Sequence, residues 1–347
     1  MLNSLQPPKT AAVSAGGDSH KSIPVAEAHA TPGAQAKIKL LQPDSFNEVK
    51  LAEEFREATK NCMTLFADPS FDLPMLPTSA VRVMNLIQDP NASPKKIGAA
   101  LQTDTVLTAK FLRMANSPFY AGTRTVDSVH VAVDRLGMAT TKNLVLSISL
   151  NGTIVREKRL GHSAMGLWAH ANSAALASQL LAQRLSMPQQ PAFMMGLMHD
   201  IGKLAAWVTL NNIMPKYPGV RPGVLEMLVE ESHLTMGDAL LTIWKMPLEV
   251  RVAAGSHHAI DSLNSAMQHI LTICPEVNVS DCAAIASTAA CVMLADRALG
   301  ALGLSDEDME LDVNQLEVAD EIGLSQALLM TYLSQLPKYI QDNTAQE

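Results

Sequence analysis

No tract of lysine and arginine occurs anywhere in this 347-residue chain, and its formal net charge is −8. Nucleic acids and anionic membranes are gripped by clustered basic side chains, so neither is expected as the main partner. Cysteine is sparse too. Cys62, Cys274, Cys282 and Cys291 form no CxxC pair, which argues against a zinc ribbon or a thioredoxin-type site and for reduced thiols in a cytosolic protein. No apolar run of about 18 residues and no charged segment leading into an apolar stretch at the N-terminus is found, so a soluble cytoplasmic protein is expected. Aromatic residues make up only 4% of the chain.

What the chain has instead is aliphatic bulk. Forty-eight per cent of its residues are hydrophobic and 19 are methionine, a flexible side chain that fills irregular gaps between helices. With the richness in Ala and Leu and few alternating runs, this predicts an all-α protein. Residues 1–45 are rich in Pro, Ala, Ser and Gly without apolar periodicity and read as a disordered leader. A first helical module is expected over 46–155, a second over 156–300, and a helical extension over 301–347.

Within the first module, Ser93 followed by Pro94 marks a helix start, and Asp104 or Thr105 caps the next helix. Asn116-Ser117-Pro118 breaks that helix, and Gly137 closes one running from Val129 to Leu136. In the second module one helix from about Ala164 to Leu185 carries His170, and another carries His199 and Asp200. Two helices, Val224–Glu231 and Met236–Lys245, flank His233. A further helix ends at His257-His258. Asp261 to Ser280 reads as irregular, and Asp281 caps a long helix carrying Asp296.

The chemistry centres on Gly196-Leu-Met-His-Asp-Ile-Gly-Lys203. A carboxylate buried in so apolar a stretch costs several kcal/mol unless it is paired or bound to metal. Asp200 therefore needs partners, and His170, His199, His233, His257, His258 and Asp296 are the candidates. Imidazoles and carboxylates suit first-row divalent ions such as iron, manganese, nickel, cobalt or zinc, and one carboxylate can bridge two of them. His170, His199, Asp200 and Asp296 would make one site. Asp200 with His233, His257 and His258 would make a second. His20, His29, His130, His162 and His269 belong to no such pattern.

Leu76-Pro77, the run Gln102–Tyr120 around Asp104, and Val133-Asp-Arg-Leu-Gly-Met138 resemble the HDOD domain, a helical output module of bacterial signalling proteins related to the HD phosphohydrolases. The similarity covers roughly Leu73 to Leu271. It implies a first helical bundle followed by an HD-like bundle, and a regulatory protein that docks a signalling partner such as a kinase or a cyclic-dinucleotide enzyme. The order His170, His199-Asp200, Asp296 resembles the HD phosphohydrolase metal set, and His233, His257 and His258 match the extension found in HD-GYP phosphodiesterases. That second resemblance implies catalytic roles for Asp200 and for Lys203, the latter as a phosphate contact, with a nucleotide or other phosphoester as ligand. The two implications conflict, since HDOD domains typically lack the metal set that this sequence keeps. The residues after His258, Ala-Ile-Asp-Ser-Leu-Asn, contain no Gly-Tyr-Pro element, so hydrolysis of cyclic dinucleotides in particular is not expected.

Overall fold

The structure, a computed structural model, describes residues 43–344 apart from 90, 118–119, 121, 123, 162, 305–310 and 312–316. The expected leader lies outside the described residues, apart from its last few positions. Among the described residues every regular element is a helix. The chain begins with α1 (Phe46–Lys60) and the short α2 (Cys62–Ala67). Ser45 and Glu48 start α1 through a reciprocal cap, each side chain accepting from the other's backbone N–H. After the Leu73–Pro77 segment come α3 (Thr78–Gln88), α4 (Pro94–Leu101), α5 (Thr105–Ala115) and α6 (Val129–Arg156).

Local chemistry accounts for these boundaries. Ser93 accepts from the Lys96 amide, with Pro94 at the first helical position. Asp104 accepts from the Leu107 amide at 2.9 Å, while its other oxygen accepts from Ser79 Oγ at 2.8 Å. Asn116 ends α5 and pins the loop beyond it, its side chain donating to the Val126 carbonyl and accepting from the Val126 amide. Gly137, at φ +77° and ψ 167°, breaks α6, a conformation that a side chain would resist. Ala80, Val83, Ile97, Leu101, Leu107, Phe111, Val133 and Leu144 form the core of this bundle.

The second half contains α7 (Ser163–Arg184), α8 (Gln189–Met198), α9 (Ile201–Ile213), α10 (Pro222–Ile243), α11 (Leu248–Ser256), α12 (Leu263–Ile273), α13 (Val279–Ala301), α14 (Glu317–Glu321) and α15 (Gln326–Thr344). Two apolar cores lie here, and α7 and α8 serve both. Ala171, Phe193 and Leu197 join Leu204, Leu228 and Met236 in one, while Ala174, Met195 and Leu180 join Val252, Ala290 and Leu294 in the other. Helices shared in this way must be apolar all round. The first core also takes in Leu51 and Phe55 of α1, whose Glu48 is bound by Arg221 at 2.7 Å. The second takes in Tyr332 and Leu336 of α15, and the Tyr332 hydroxyl donates to the Ala177 carbonyl at 3.1 Å. Helix α13 is long and apolar enough to cross a membrane by length and composition, yet 72% of that stretch is buried inside the protein. The four thiols are unpaired.

Several boundaries differ from the sequence expectation. His199 and Asp200 sit between α8 and α9, with Asp200 at φ −102° and ψ 10°, not within one helix. His233 lies in the middle of a single continuous α10, because nothing around Leu234 and Thr235 breaks the turn. The stretch taken as irregular contains α12, started by reciprocal capping between Ser262 and Ser265 and buried through Ala266 and Ile270. The long helix α13 is capped by Asn278, with Asp281 in its first turn.

Candidate metal centre

Two glycines flank the His199-Asp200 doublet, and each lets a neighbouring helix come into backbone contact. A Cβ on Gly196 would stand 2.6 Å from Ser178 Oγ and 2.7 Å from the Ala174 carbonyl oxygen of α7. A Cβ on Gly202 would stand 1.8 Å from the His233 carbonyl oxygen and 2.7 Å from the Gly237 nitrogen of α10. Helix α7 carries His170 and α10 carries His233. The octapeptide therefore draws both helices against the doublet from opposite sides, at separations that only glycine permits.

All seven residues singled out in the sequence meet there. His170 Nε2 lies 3.1 Å from His199 Nε2, 3.2 Å from Asp200 Oδ2 and 3.3 Å from Asp296 Oδ1. His199 Nε2 lies 3.6 Å from Asp200 Oδ2 and 3.5 Å from Asp296 Oδ1. On the far side of the same carboxylate, Asp200 Oδ1 is 3.3 Å from His257 Nε2 and 3.6 Å from His233 Nε2. The His258 ring lies tilted 4.1 Å from that of His257 and edge-on 5.1 Å from that of His233. Asp200 thus belongs to two groups of donor atoms, one with His170 and His199 and one with His233, His257 and His258. Asp296 comes in from α13 beside the first.

The rings are held in one orientation. Nδ1 of His199, His233 and His257 lies 2.7, 2.8 and 3.0 Å from the backbone carbonyls of Gly196, Glu230 and Ala253. A carbonyl only accepts, so each Nδ1 carries a hydrogen and each Nε2 is the nitrogen turned into the pocket. Asp200 Oδ1, His233 Nε2 and His257 Nε2 are buried without a hydrogen-bond partner, although both nitrogens lie within 3.6 Å of that oxygen. Acceptors brought this near repel unless a cation lies between them. Donor atoms about 2.1 Å from a first-row ion are themselves about 3 Å apart, the spacing found here. The residues fit a divalent ion.

Without a metal ion, the buried carboxylates draw their compensating charge from histidine protons and Lys203. Burial works against a charge on His170, yet Asp200 and Asp296 outweigh it and raise its pKa to about 10. The same balance raises His199. Burial would raise Asp200, but His199 and Lys203 hold it well below the usual carboxylate range, and Asp296 is depressed likewise by His199 and His170. Burial pushes His257 down to about 3, with Asp200 offsetting it only in part. His257 therefore stays a neutral donor.

Lys203 stands at the mouth of the pocket, with Nζ 2.8 Å from Asp200 Oδ2 and 3.1 Å from Glu230 Oε1. Glu230, half exposed, was not singled out from the sequence. Its position three residues before His233 on α10 was the available signal. Elsewhere, His130 contacts Ser128 on the first bundle, His269 lies on α12, and His20, His29 and His162 are outside the described residues. Asp104 keeps to its capping role.

Fold and site together define an all-helical protein with a buried His/Asp cluster. The HDOD domain family model matches residues 73–260, more than half of the chain, and the chain belongs to that family. An uncharacterized Treponema pallidum protein is 23% identical over 218 residues, covering 59% of this chain and 41% of the relative. The chain thus spans about two fifths of that relative's length. Among solved structures, an HDOD domain protein of unknown function from Geobacter sulfurreducens is 20% identical and has a TM-score of 0.59, covering 88% of this chain and 99% of its own. A Marinobacter aquaeolei protein named as a candidate signal transduction protein gives 22% and 0.58, covering 88% and 66%. A Shewanella amazonensis protein named as a candidate metal-dependent phosphohydrolase gives 20% and 0.55, covering 85% and 100%. At these identities the likeness is one of fold.

Proposed function

We propose that this protein is a signalling output protein that binds divalent metal in its HD-like half. His170, His199, Asp200 and Asp296 would hold one ion, and Asp200 with His233, His257 and His258 would hold a second. One observation carries the reading: His170 Nε2 lies 3.1 to 3.3 Å from His199 Nε2, Asp200 Oδ2 and Asp296 Oδ1. Two imidazole nitrogens and two carboxylate oxygens converge at the separations that ligands of one divalent ion have. The regulatory role, with a protein partner, is supported by membership of the family and by the Marinobacter relative's name, not by the pocket. The ion stands as one of iron, manganese, nickel, cobalt or zinc.

Phosphoester hydrolysis is the second reading, and Lys203 favours it. Its ammonium sits at the pocket mouth, only partly exposed and already aimed at Asp200. There it would hold an anionic oxygen of a phosphoester, Glu230 yielding its share of the contact, while Asp200 and Asp296 keep the cations in place. Bound divalent ions supply charge against the non-bridging oxygens of such a substrate.

Elemental analysis of protein purified without chelator tests the primary reading. One or two equivalents of a first-row metal are expected for the wild type and less than a tenth of that for Asp200→Ala. In metal-replete buffer the thermal midpoint of Asp200→Ala should fall towards that of EDTA-treated wild type. Metal-free wild-type protein that gains no thermal stability from any of the five ions would overturn it. Bis(p-nitrophenyl) phosphate then separates the two roles. Turnover by loaded protein, lost at least a hundredfold in Lys203→Ala with metal retained, makes it an enzyme.

A further inference from the structure

The first bundle contains a cavity that the polar pocket does not use. It is a half-open groove of about 480 Å³ between the Leu73–Pro77 segment, the N-terminal end of α5 and the C-terminal half of α6. We infer that this groove is a binding site for a small organic anion with an apolar body, such as an aryl or alkyl phosphate or carboxylate.

Charge is the first argument. Lys110 and Arg156 line the groove from α5 and α6, and neither has an ion pair or hydrogen bond among the described residues. The acids beside them are committed. Asp104 accepts from the Leu107 amide and from Ser79 Oγ, and Glu157 is bound by Arg159 at 2.7 Å. Arg156 reaches Asp104 only through space. Asp104 keeps its negative charge, because both its donors are neutral, so Lys110 and Arg156 outnumber by one the lining acids that have no cationic partner.

Shape and surface are the second and third arguments. Met75 and Val106, both lining the groove, are 54% and 55% exposed, leaving apolar surface in a concavity of the size that small ligands occupy. Gly152 lies inside α6, where glycine costs about 1 kcal/mol relative to alanine. Packing does not require it, since a Cβ there would meet nothing within 4 Å. Its effect is to leave the wall of the groove open. Cations, apolar surface and space converge on one place, and an amphiphilic anion satisfies all three.

The test uses 1-anilinonaphthalene-8-sulfonate, an aromatic anion, as probe on the full chain. One equivalent should bind with enhanced fluorescence and shift the Met75 ε-methyl resonance, assigned through Met75→Leu. Gly152→Leu, which fills the groove, and Lys110→Gln/Arg156→Gln, which discharges it, should each weaken binding at least tenfold. Neither should lower the thermal midpoint or change the circular dichroism. The uncharged N-phenyl-1-naphthylamine should bind at least tenfold more weakly than the sulfonate. A Met75 resonance that does not move, or affinity for the sulfonate that survives both variants, overturns the site. Equal binding of the neutral and anionic probes overturns the anion assignment. Because the variants leave the His/Asp residues intact, metal content should be unchanged whichever way the result falls.

Discussion

At the scale of single residues, the pocket turns on who owns the proton at His170. Without metal, the carboxylates of Asp200 and Asp296 hold it on His170 up to about pH 10. A metal ion must displace it. Metal binding at pH 7 to 8 should therefore release at least one proton, and affinity should rise about tenfold per pH unit per proton released, levelling off near pH 10. Calorimetry in buffers of different ionisation enthalpy reads the proton count directly. A raised imidazole pKa stabilises the fold fully below its ordinary value and loses that effect as pH rises through the folded value. The EDTA-treated protein should accordingly lose thermal stability between about pH 6.5 and 10, and the metal-loaded protein should not. A buried acid at Asp200 showed that partners were needed, and the resemblance to the HD order, not the physics of any one residue, picked the other six. Glu230 was not legible in the sequence, because a half-exposed glutamate on a helix looks like any other solvated side chain.

At the scale of elements, the sequence showed apolar periodicity but not where two helices meet end to end. The run from Ala192 to Trp207 is apolar on both sides of the doublet, so its period continues through a junction that the backbone turns at Asp200. The same blindness split α10 in two around His233. Gly196 and Gly202 mark the junction in retrospect, since their purpose shows only when the neighbouring backbones are in place. Gly202→Ala should cost about 3 kcal/mol or more, since the obstacle is backbone and cannot swing aside, and metal affinity should fall at least tenfold. Gly152→Ala, in open space, should be neutral or stabilising by up to about 1 kcal/mol. Chemical denaturation of the two variants side by side checks the contrast. Asp104→Ala should cost about 1 to 2 kcal/mol, the usual scale of a lost cap, with metal content unchanged, because its hydrogen bonds run to the Leu107 amide and Ser79, not to the His/Asp cluster.

At the scale of the whole molecule, the all-helical architecture followed from composition and punctuation, but the partition of helices between cores did not. Amphipathic patterns say that a face is buried and not against what. Helix α1 lies with α9 and α10 although it precedes the first bundle in the chain, and α15 lies on α7 although it comes last. Tyr332→Ala should therefore cost about 3 to 5 kcal/mol, and Tyr332→Phe about 1, each read from the denaturation midpoint. A variant at Tyr332 that left the midpoint unmoved would show α15 to be detachable. The spread of the ligand residues along the chain, from His170 to Asp296, also sets an order of events during synthesis. While the ribosome is still adding α13, the His199-Asp200 junction can already have been pinched between α7 and α10, yet its polar pocket is still missing one carboxylate. The full donor set exists only after Asp296 has left the exit tunnel. Loading with the proposed metal is then a late step, and a chain interrupted before α13 would present a half-built site that competes poorly for a scarce ion.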